Sequence, residues 1–334
     1  MKKNKLYRII IFGLVFFSIL FGVSRFFLRF LRPSNNHEYF YSIPENSIDV
    51  VFVGSSHSFC CFSPVELYDR YGISSYNFSS SNQSMLASYL WAKEAYDYQK
   101  YEVLVVEAMS VTMSHGDIEN DIRSLYSMGM SPHFFELIKT YKRQMYKIIF
   151  PVFAIHDTWE NAGELTYKPV ANENAAYLRG YVPLDSEAGT EYTTSILSGS
   201  KDNVSYINYT YIDKLREFCE ENNIKLIFVK TLMASNEINN WNDGYHNALQ
   251  NYADEYSIPF IDFNSTEYLN AAGLDISTDV AADLRHMNIT GGKKITDYLG
   301  QFLLELNDIS ITVYDENDDI DQNIIEHYHE LIGQ

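Results

Sequence analysis

The sequence predicts an α/β fold, a mainly parallel sheet with helices between its strands, standing behind one N-terminal membrane-crossing helix. Three observations predict it. Short runs rich in Val, Ile, Leu and Phe alternate with helix-length segments, the rhythm of βαβ units in a sheet covered on both faces. Four cations (Lys2, Lys3, Lys5 and Arg8) precede a charge-free run over residues 9–24. The chain has 334 residues and is 46% hydrophobic, enough for an anchor and one large domain.

The charge-free run alone would be about 24 Å long as a helix, slightly short of a ~30 Å hydrocarbon core. The apolar pattern continues through Phe26, Phe27, Leu28, Phe30 and Leu31, and Arg25 and Arg29 can snorkel to the interface. Pro33 stops the helix. No small-x-small cleavage site follows, so an uncleaved anchor over residues 9–31 is expected behind a basic stretch at 1–8. Four cations before the run against three after it (Arg25, Arg29, Arg32) favour the N-terminus inside and the domain outside the cell.

Residues 32–46 read as a polar linker. Residues 47–54 (SIDVVFVG) form the first buried strand, and Ser63-Pro64 offers an N-cap and first position for a helix through Tyr71. A short strand follows at 75–78, then a helix at 84–98 and a strand at 101–107 (YEVLVVE). Beyond come a helix at 206–222, a strand at 225–229 (KLIFV), a helix at 243–256, a strand at 258–263 (IPFIDF) and a final helix at 290–306. Residues 111–204 interrupt the rhythm and read as a largely helical insertion covering the sheet's carboxyl edge. Residues 307–334 hold eight acidic residues and no Lys or Arg. They read as a solvated tail, with 309–313 able to add an edge strand.

The net charge of −19 argues against a phosphate-binding, nucleic-acid surface, whose affinity rests on clustered Lys and Arg. Cys60, Cys61 and Cys219 are too few and too adjacent for a disulfide framework, and the first two read as packing residues. The segment 326–330 (EHYHE) looks metal-rich, but an acidic helix explains it, and no other cluster has metal-ligand spacing. Neither a metal nor a cofactor is expected.

The chemistry gathers at two places. The first strand ends in Gly54-Ser55-Ser56-His57-Ser58, and open α/β sheets bind ligands beyond the carboxyl ends of their strands. A hydroxyl there, at a turn into a helix, meets backbone N–H groups. Far along the chain, Asp283-Leu284-Arg285-His286 precedes the last helix. Histidine is suited to accept a serine proton, and a carboxylate three residues earlier can bind Nδ1–H and fix the tautomer. Taken singly, each segment is more simply a turn and a surface histidine.

Together they resemble the SGNH/GDSL hydrolase superfamily, in which the nucleophile comes early and the Asp-His pair late. The likeness spans residues 47–306 and is nearest to the membrane-anchored bacterial branch with a GSS-type first block, which includes acyl-transfer proteins acting on teichoic acids and exopolysaccharides. It implies a three-layer α/β/α, flavodoxin-like domain with Ser56 as nucleophile, His286 as base and Asp283 as its orienting carboxylate. It also implies oxyanion donors from the Ser56 N–H and from a second block at residues 77–84, where Asn82 occupies the usual glycine position. The third block, Glu107-Ala108-Met109-Ser110, lacks the family's asparagine, leaving the Asn82 and Gln83 side chains as substitutes.

The activity so implied is a serine esterase or O-acyltransferase acting on an acyl, commonly acetyl, ester of a cell-surface glycan, with a membrane-bound acyl-donor protein as a conceivable partner. The rival is a binding or assembly protein for envelope polysaccharide that kept the fold and lost efficient turnover. His57 can line the pocket or serve structure equally well. His156 and Trp159 resemble a pocket-wall segment of that branch, although core packing explains them too, and Arg179-Gly180-Tyr181 is similarly ambiguous. Lys230-Thr231, at a strand's carboxyl end, can meet an anionic substrate group or simply be solvated.

Overall fold

The structure, a computed structural model, describes residues 2–28, 37–113, 117–154, 177–189, 204–234, 243–306, 311–312 and 322–333. His156, Trp159 and half of the acidic tail lie outside the described residues.

In chain order come α1 (Lys2–Leu28), a 3-10 turn (Glu38–Ser42), β1 (Val50–Gly54), α2 (Ser56–Phe59), α3 (Pro64–Tyr71), β2 (Ser75–Ser79), α4 (Met85–Gln99) and β3 (Val103–Glu107). The short helices α5 (Ile118–Ser124), α6 (Pro132–Thr140) and α7 (Met145–Ile149) and a 3-10 turn at Pro151–Phe153 follow. Next are α8 (Tyr206–Asn222), β4 (Lys225–Lys230), α9 (Asp243–Tyr256), β5 (Phe260–Asp262), α10 (Thr266–Ala271), α11 (Ile276–Asp279), α12 (Ile289–Glu305) and α13 (Gln322–Ile332).

The five strands form one parallel sheet in the order β2-β1-β3-β4-β5. This is the flavodoxin-like order, whose direction of winding reverses between β1 and β3 and opens a crevice there. Alternate side chains enter opposite layers. Val51, Val53, Leu104, Val106 and Phe228 pack under α4, α8 and α9, whereas Val50, Phe52, Val103, Val105 and Val229 pack under α3 and α12. Both faces are buried, which is why the strands read as unbroken apolar runs.

Side-chain caps set the helix starts. Ser63 Oγ accepts from the Glu66 N–H at 3.2 Å, with Pro64 in the first position. Ser84 Oγ accepts from Ala87 N–H at 3.1 Å, and Asn288 Oδ1 from Gly291 N–H at 3.0 Å. Each satisfies an orphan donor of the first turn.

Two stretches differ from expectation. From His37 onward, the segment read as a polar linker packs into the core: Phe40 is buried against Tyr76 and Phe78, and His37 against Trp91. Burial lowers the His37 imidazole to about 3, so it packs as a neutral ring. The end of the acidic tail is likewise not a solvated appendage. On α13, Ile324, Ile325 and Tyr328 share a helical stripe that docks on Val65, Tyr68 and Tyr181. Tyr328 Oη donates to Glu66 Oε2 at 2.8 Å, and His329 meets Asp69 at 3.0 Å.

One helix among the described residues is long and apolar enough to cross a membrane; its span is Asn4–Phe26, and its most apolar 18-residue stretch has no buried residue.

A buried carboxylate joins the insertion to α4. Asp121 accepts from Ser84 Oγ and Tyr141 Oη, both at 2.5 Å, and burial pushes its carboxyl up to about 6. A raised folded-state value means the protonated form is favoured by folding, so this stability is complete below pH ~4 and is lost as pH rises through about 6. A shift of about two units corresponds to roughly 3 kcal/mol. Denaturant unfolding in detergent should show the wild type losing about that much more than Asp121→Asn between pH 4 and 7. Parallel pH curves for the two proteins would refute it.

Candidate active site

The β1–α2 turn sits at the mouth of the crevice. Gly54 lies so close to β3 that an added Cβ would meet Glu107 Cβ at 2.6 Å and Ser58 Cβ at 3.2 Å. A side chain there would push the two central strands apart. Ser55 then caps α2, its Oγ accepting from the His57 N–H at 3.3 Å. The same Oγ donates to Glu107 Oε2 at 2.9 Å, while Glu107 Oε1 accepts from the Met109 N–H at 3.0 Å. From β2, Asn77 binds the far end of the turn through Ser58 Oγ (3.0 Å), Ser58 O (3.1 Å) and Phe62 O (3.1 Å). The turn is therefore held from both neighbouring strands, and Ser56, its half-buried first helical residue, faces the crevice.

The second segment is a loop closed on itself. The Ala281 N–H donates to His286 O at 2.8 Å, and Val280 and Met287 form an antiparallel bridge. Leu284 turns the chain with φ of 64°, and the Leu284 N–H donates to Ala281 O at 2.9 Å. Asn288 anchors the exit by donating to Ser186 O at 2.9 Å and Thr278 O at 2.6 Å. Gly291 lets α12 start this close, since a Cβ would stand 2.2 Å from Met287 Cε and 2.3 Å from Asp279 O.

The two segments meet. His286 Nε2 lies 2.7 Å from Ser56 Oγ across 230 residues of sequence, and His286 Nδ1 lies 2.6 Å from Asp283 Oδ2. Asp283 Oδ1 also accepts from the Arg285 and His286 backbone N–H groups, at 3.0 and 3.1 Å. Partial burial alone would raise this carboxyl, but those hydrogen bonds outweigh it and hold it below its ordinary value. An ionised Asp283 accepts the Nδ1 proton, which leaves Nε2 as the acceptor facing the Ser56 hydroxyl.

Behind this chain lies a buried polar tier at the carboxyl ends of β3, β4 and β5. Lys230 is fully buried, not solvated and not aimed at a substrate group. Its Nζ donates to Thr231 O at 3.0 Å and Thr231 Oγ1 at 3.3 Å, and stands 3.5 Å from Glu107 Oε1. Burial pushes Glu107 up and Lys230 down, and each charge restrains the other's shift. His57 is buried too, its ring 4.9 Å from that of His286 and tilted by 39°. Burial, then the charges of Lys230, His286 and Arg285, lower its imidazole well below the usual range, so it is a neutral wall for His286. Asp262 on β5 is held low against its burial by His246, 2.7 Å away, and by Asn264.

The remaining residues singled out in the sequence fall into place. Gln83 is buried, and its amide donates to Phe78 O at 2.9 Å and Ser88 Oγ at 3.1 Å, so neither donor faces the crevice. Asn82 is exposed at the turn after β2, with a left-handed φ of 53°. Arg179 is buried on Ser74 and Ser75, and Gly180 approaches Asn77 so closely that a Cβ would stand 2.1 Å from its carbonyl oxygen. Cys60 and Cys61 are buried free thiols, pushed up by burial and unavailable as nucleophiles at neutral pH. Among the described residues no His, Cys, Asp and Glu group could hold a metal ion. Sequence reasoning missed Ser55 and Glu107 as the pair that sets the turn. The only local signal was a carboxylate ending an apolar strand.

No protein-family model matches the chain, and no curated protein matches it. Among solved structures, a protein of Bacteroides fragilis provisionally described as an acylhydrolase is similar over 80% of this chain and 94% of its own, at 13% identity and a TM-score of 0.41. The fold described above rests on the strand order and pairing of this chain alone.

Lys230 and Glu107 yield a test of the tier. Lys230→Met strands a buried carboxylate and should cost about 3–5 kcal/mol of unfolding free energy. Glu107→Gln combined with Lys230→Met should recover most of that loss in denaturant titrations. If the double variant is no more stable than Lys230→Met, the pair does not neutralise itself.

Proposed function

We propose that the protein is a serine esterase or O-acyltransferase of the SGNH/GDSL type, with Ser56 as nucleophile, His286 as general base and Asp283 as its orienting carboxylate. One observation carries this reading: the hydroxyl, imidazole and carboxylate lie in a hydrogen-bonded chain of 2.7 and 2.6 Å at the switch point of a doubly wound sheet. Surface serine–histidine contacts do not need a buried turn to aim the hydroxyl or a closed loop to aim the ring. Here both are built.

In the reaction, Ser56 Oγ attacks an ester carbonyl while His286 Nε2 takes its proton, and Asp283 stabilises the imidazolium. His286 then returns the proton to the departing alkoxide, leaving an acyl-Ser56 and a free alcohol. Water or a sugar hydroxyl attacks the acyl group, gives its proton to His286, and releases Ser56. The Ser56 and Asn82 N–H groups are the donors suited to the oxyanion, Gln83 being engaged elsewhere. With α1 in the membrane and the domain outside, the accessible esters are those of cell-surface glycans, acetyl esters foremost, and a membrane-bound acyl-donor protein would make the transfer direction feasible.

A catalytically weak binding protein is the second reading, favoured by the shortage of oxyanion donors; one lost donor costs about 3–4 kcal/mol. A fluorophosphonate probe decides between them. The wild type should be labelled covalently, Ser56→Ala not at all, and His286→Ala at least about a thousandfold more slowly. An unlabelled wild type would sink the enzyme reading, and undiminished labelling of Ser56→Ala would sink the nucleophile. For hydrolysis against transfer, an acetyl ester offered with and without a sugar acceptor should yield acetylated sugar under the transferase reading and acetate alone under the hydrolase reading.

A further inference from the structure

The helix that can cross a membrane is packed against the domain. Phe17 of α1 stacks on Phe150 with ring centroids 6.0 Å apart, and α1 packs along the 3-10 turn at Pro151–Phe153. Phe17 precedes Phe26, the last residue of the apolar span, by nine positions. At ~1.5 Å per residue, Phe150 therefore lies roughly 13 Å below the domain-side end of that span, a depth at which a bilayer is hydrocarbon.

The surface around that contact suits such a medium. Met130, Phe135, Met145, Tyr146, Ile149 and Phe153 are all exposed. In a chain of net charge −19, residues 137–156 contain no acidic side chain and four basic ones, Lys139, Lys142, Arg143 and Lys147. None of the four is paired with a carboxylate among the described residues. Between α1 and this segment lies a cavity of about 210 Å³, walled by apolar side chains that include Phe21, Ile138, Ile148 and Ile149. Arg25, over the Tyr126 ring at 5.8 Å, is its single charged lining residue.

We propose that residues 132–153 form a lipid site in the leaflet beside α1, with the cavity taking an acyl chain of an anionic phospholipid and the unpaired cations, with Arg25, taking its headgroup. Apolar side chains flanked by Lys and Arg are what a chain lying in the interface presents to anionic lipid. A soluble protein partner cannot reach a surface at hydrocarbon depth. The inference rests on the membrane-crossing reading of α1 but not on the chemistry of Ser56.

The test uses the full chain in nanodiscs of phosphatidylcholine and phosphatidylglycerol. The native cysteines are buried, so spin labels report single introduced sites: Leu14→Cys, Ile149→Cys, Phe153→Cys and Tyr206→Cys. Labels at 149 and 153 should collide with oxygen in preference to a water-soluble nickel chelate, as at 14, and opposite to 206. Labels at 149 and 153 that behave like 206 while 14 reads lipid would overturn the lipid site alone. A water-like signal at 14 would remove the membrane reading of α1 and the lipid site together. In native mass spectrometry, the wild type should retain phosphatidylglycerol over phosphatidylcholine by about tenfold, and Lys142→Gln/Arg143→Gln/Lys147→Gln should lose that preference. Equal retention of the two lipids by the wild type would overturn the anionic headgroup.

Discussion

The hydrogen bond from Ser55 to Glu107 is the fixed point of the crevice. It ties the β1–α2 turn to the end of the neighbouring central strand at 2.9 Å, where Gly54 leaves no room for a side chain. With Ser55 committed to Glu107 and to the α2 cap, Ser56 is the first residue whose hydroxyl is free to leave the turn toward the crevice. The buried carboxylate requires a counter-charge, and Lys230 supplies it from β4. Thr231 and His57 then fill the space behind the His286 ring. The position of a surface hydroxyl thus depends on a polar network beneath it, which a partly satisfied interior could not tolerate.

The electrostatic contrast across the crevice follows from burial. Inside, His57 is kept neutral by desolvation and nearby cations. Outside, Asp283 is 45% exposed yet held ionised by three hydrogen bonds from its own loop. A neutral imidazole beneath and an anion beside it give His286 a single direction in which to gain a proton. Charge placement, not shape alone, distinguishes the two histidines.

Much of the fold was legible because a parallel sheet buried on both faces leaves no polar alternation. Residues 47–54 and 101–107 read as strands for that reason, although pairing begins only at Val50 and Val103, where the neighbours start. Ser63-Pro64 marked α3 to the residue, since capping chemistry is local. Partners distant in sequence were not legible. Lys230 ends an apolar strand and reads as solvated, because nothing nearby reveals a carboxylate on β3. Gln83 reads as a free amide until the Phe78 carbonyl is found beneath it. Phe40 and Tyr328 were masked by polar and acidic surroundings, where one aromatic ring decides whether a segment docks.

The separation of 230 residues between Ser56 and His286 has a bearing on biosynthesis. A ribosome delivers the hydroxyl turn soon after the apolar helix, while the imidazole and its carboxylate emerge only after all five strands of the sheet have been made. Until α12 docks against α3, the nascent hydroxyl has no base beside it. On the reading of Ser56 as nucleophile proposed above, the growing chain stays without its base until the loop that carries His286 has closed onto the β1–α2 turn.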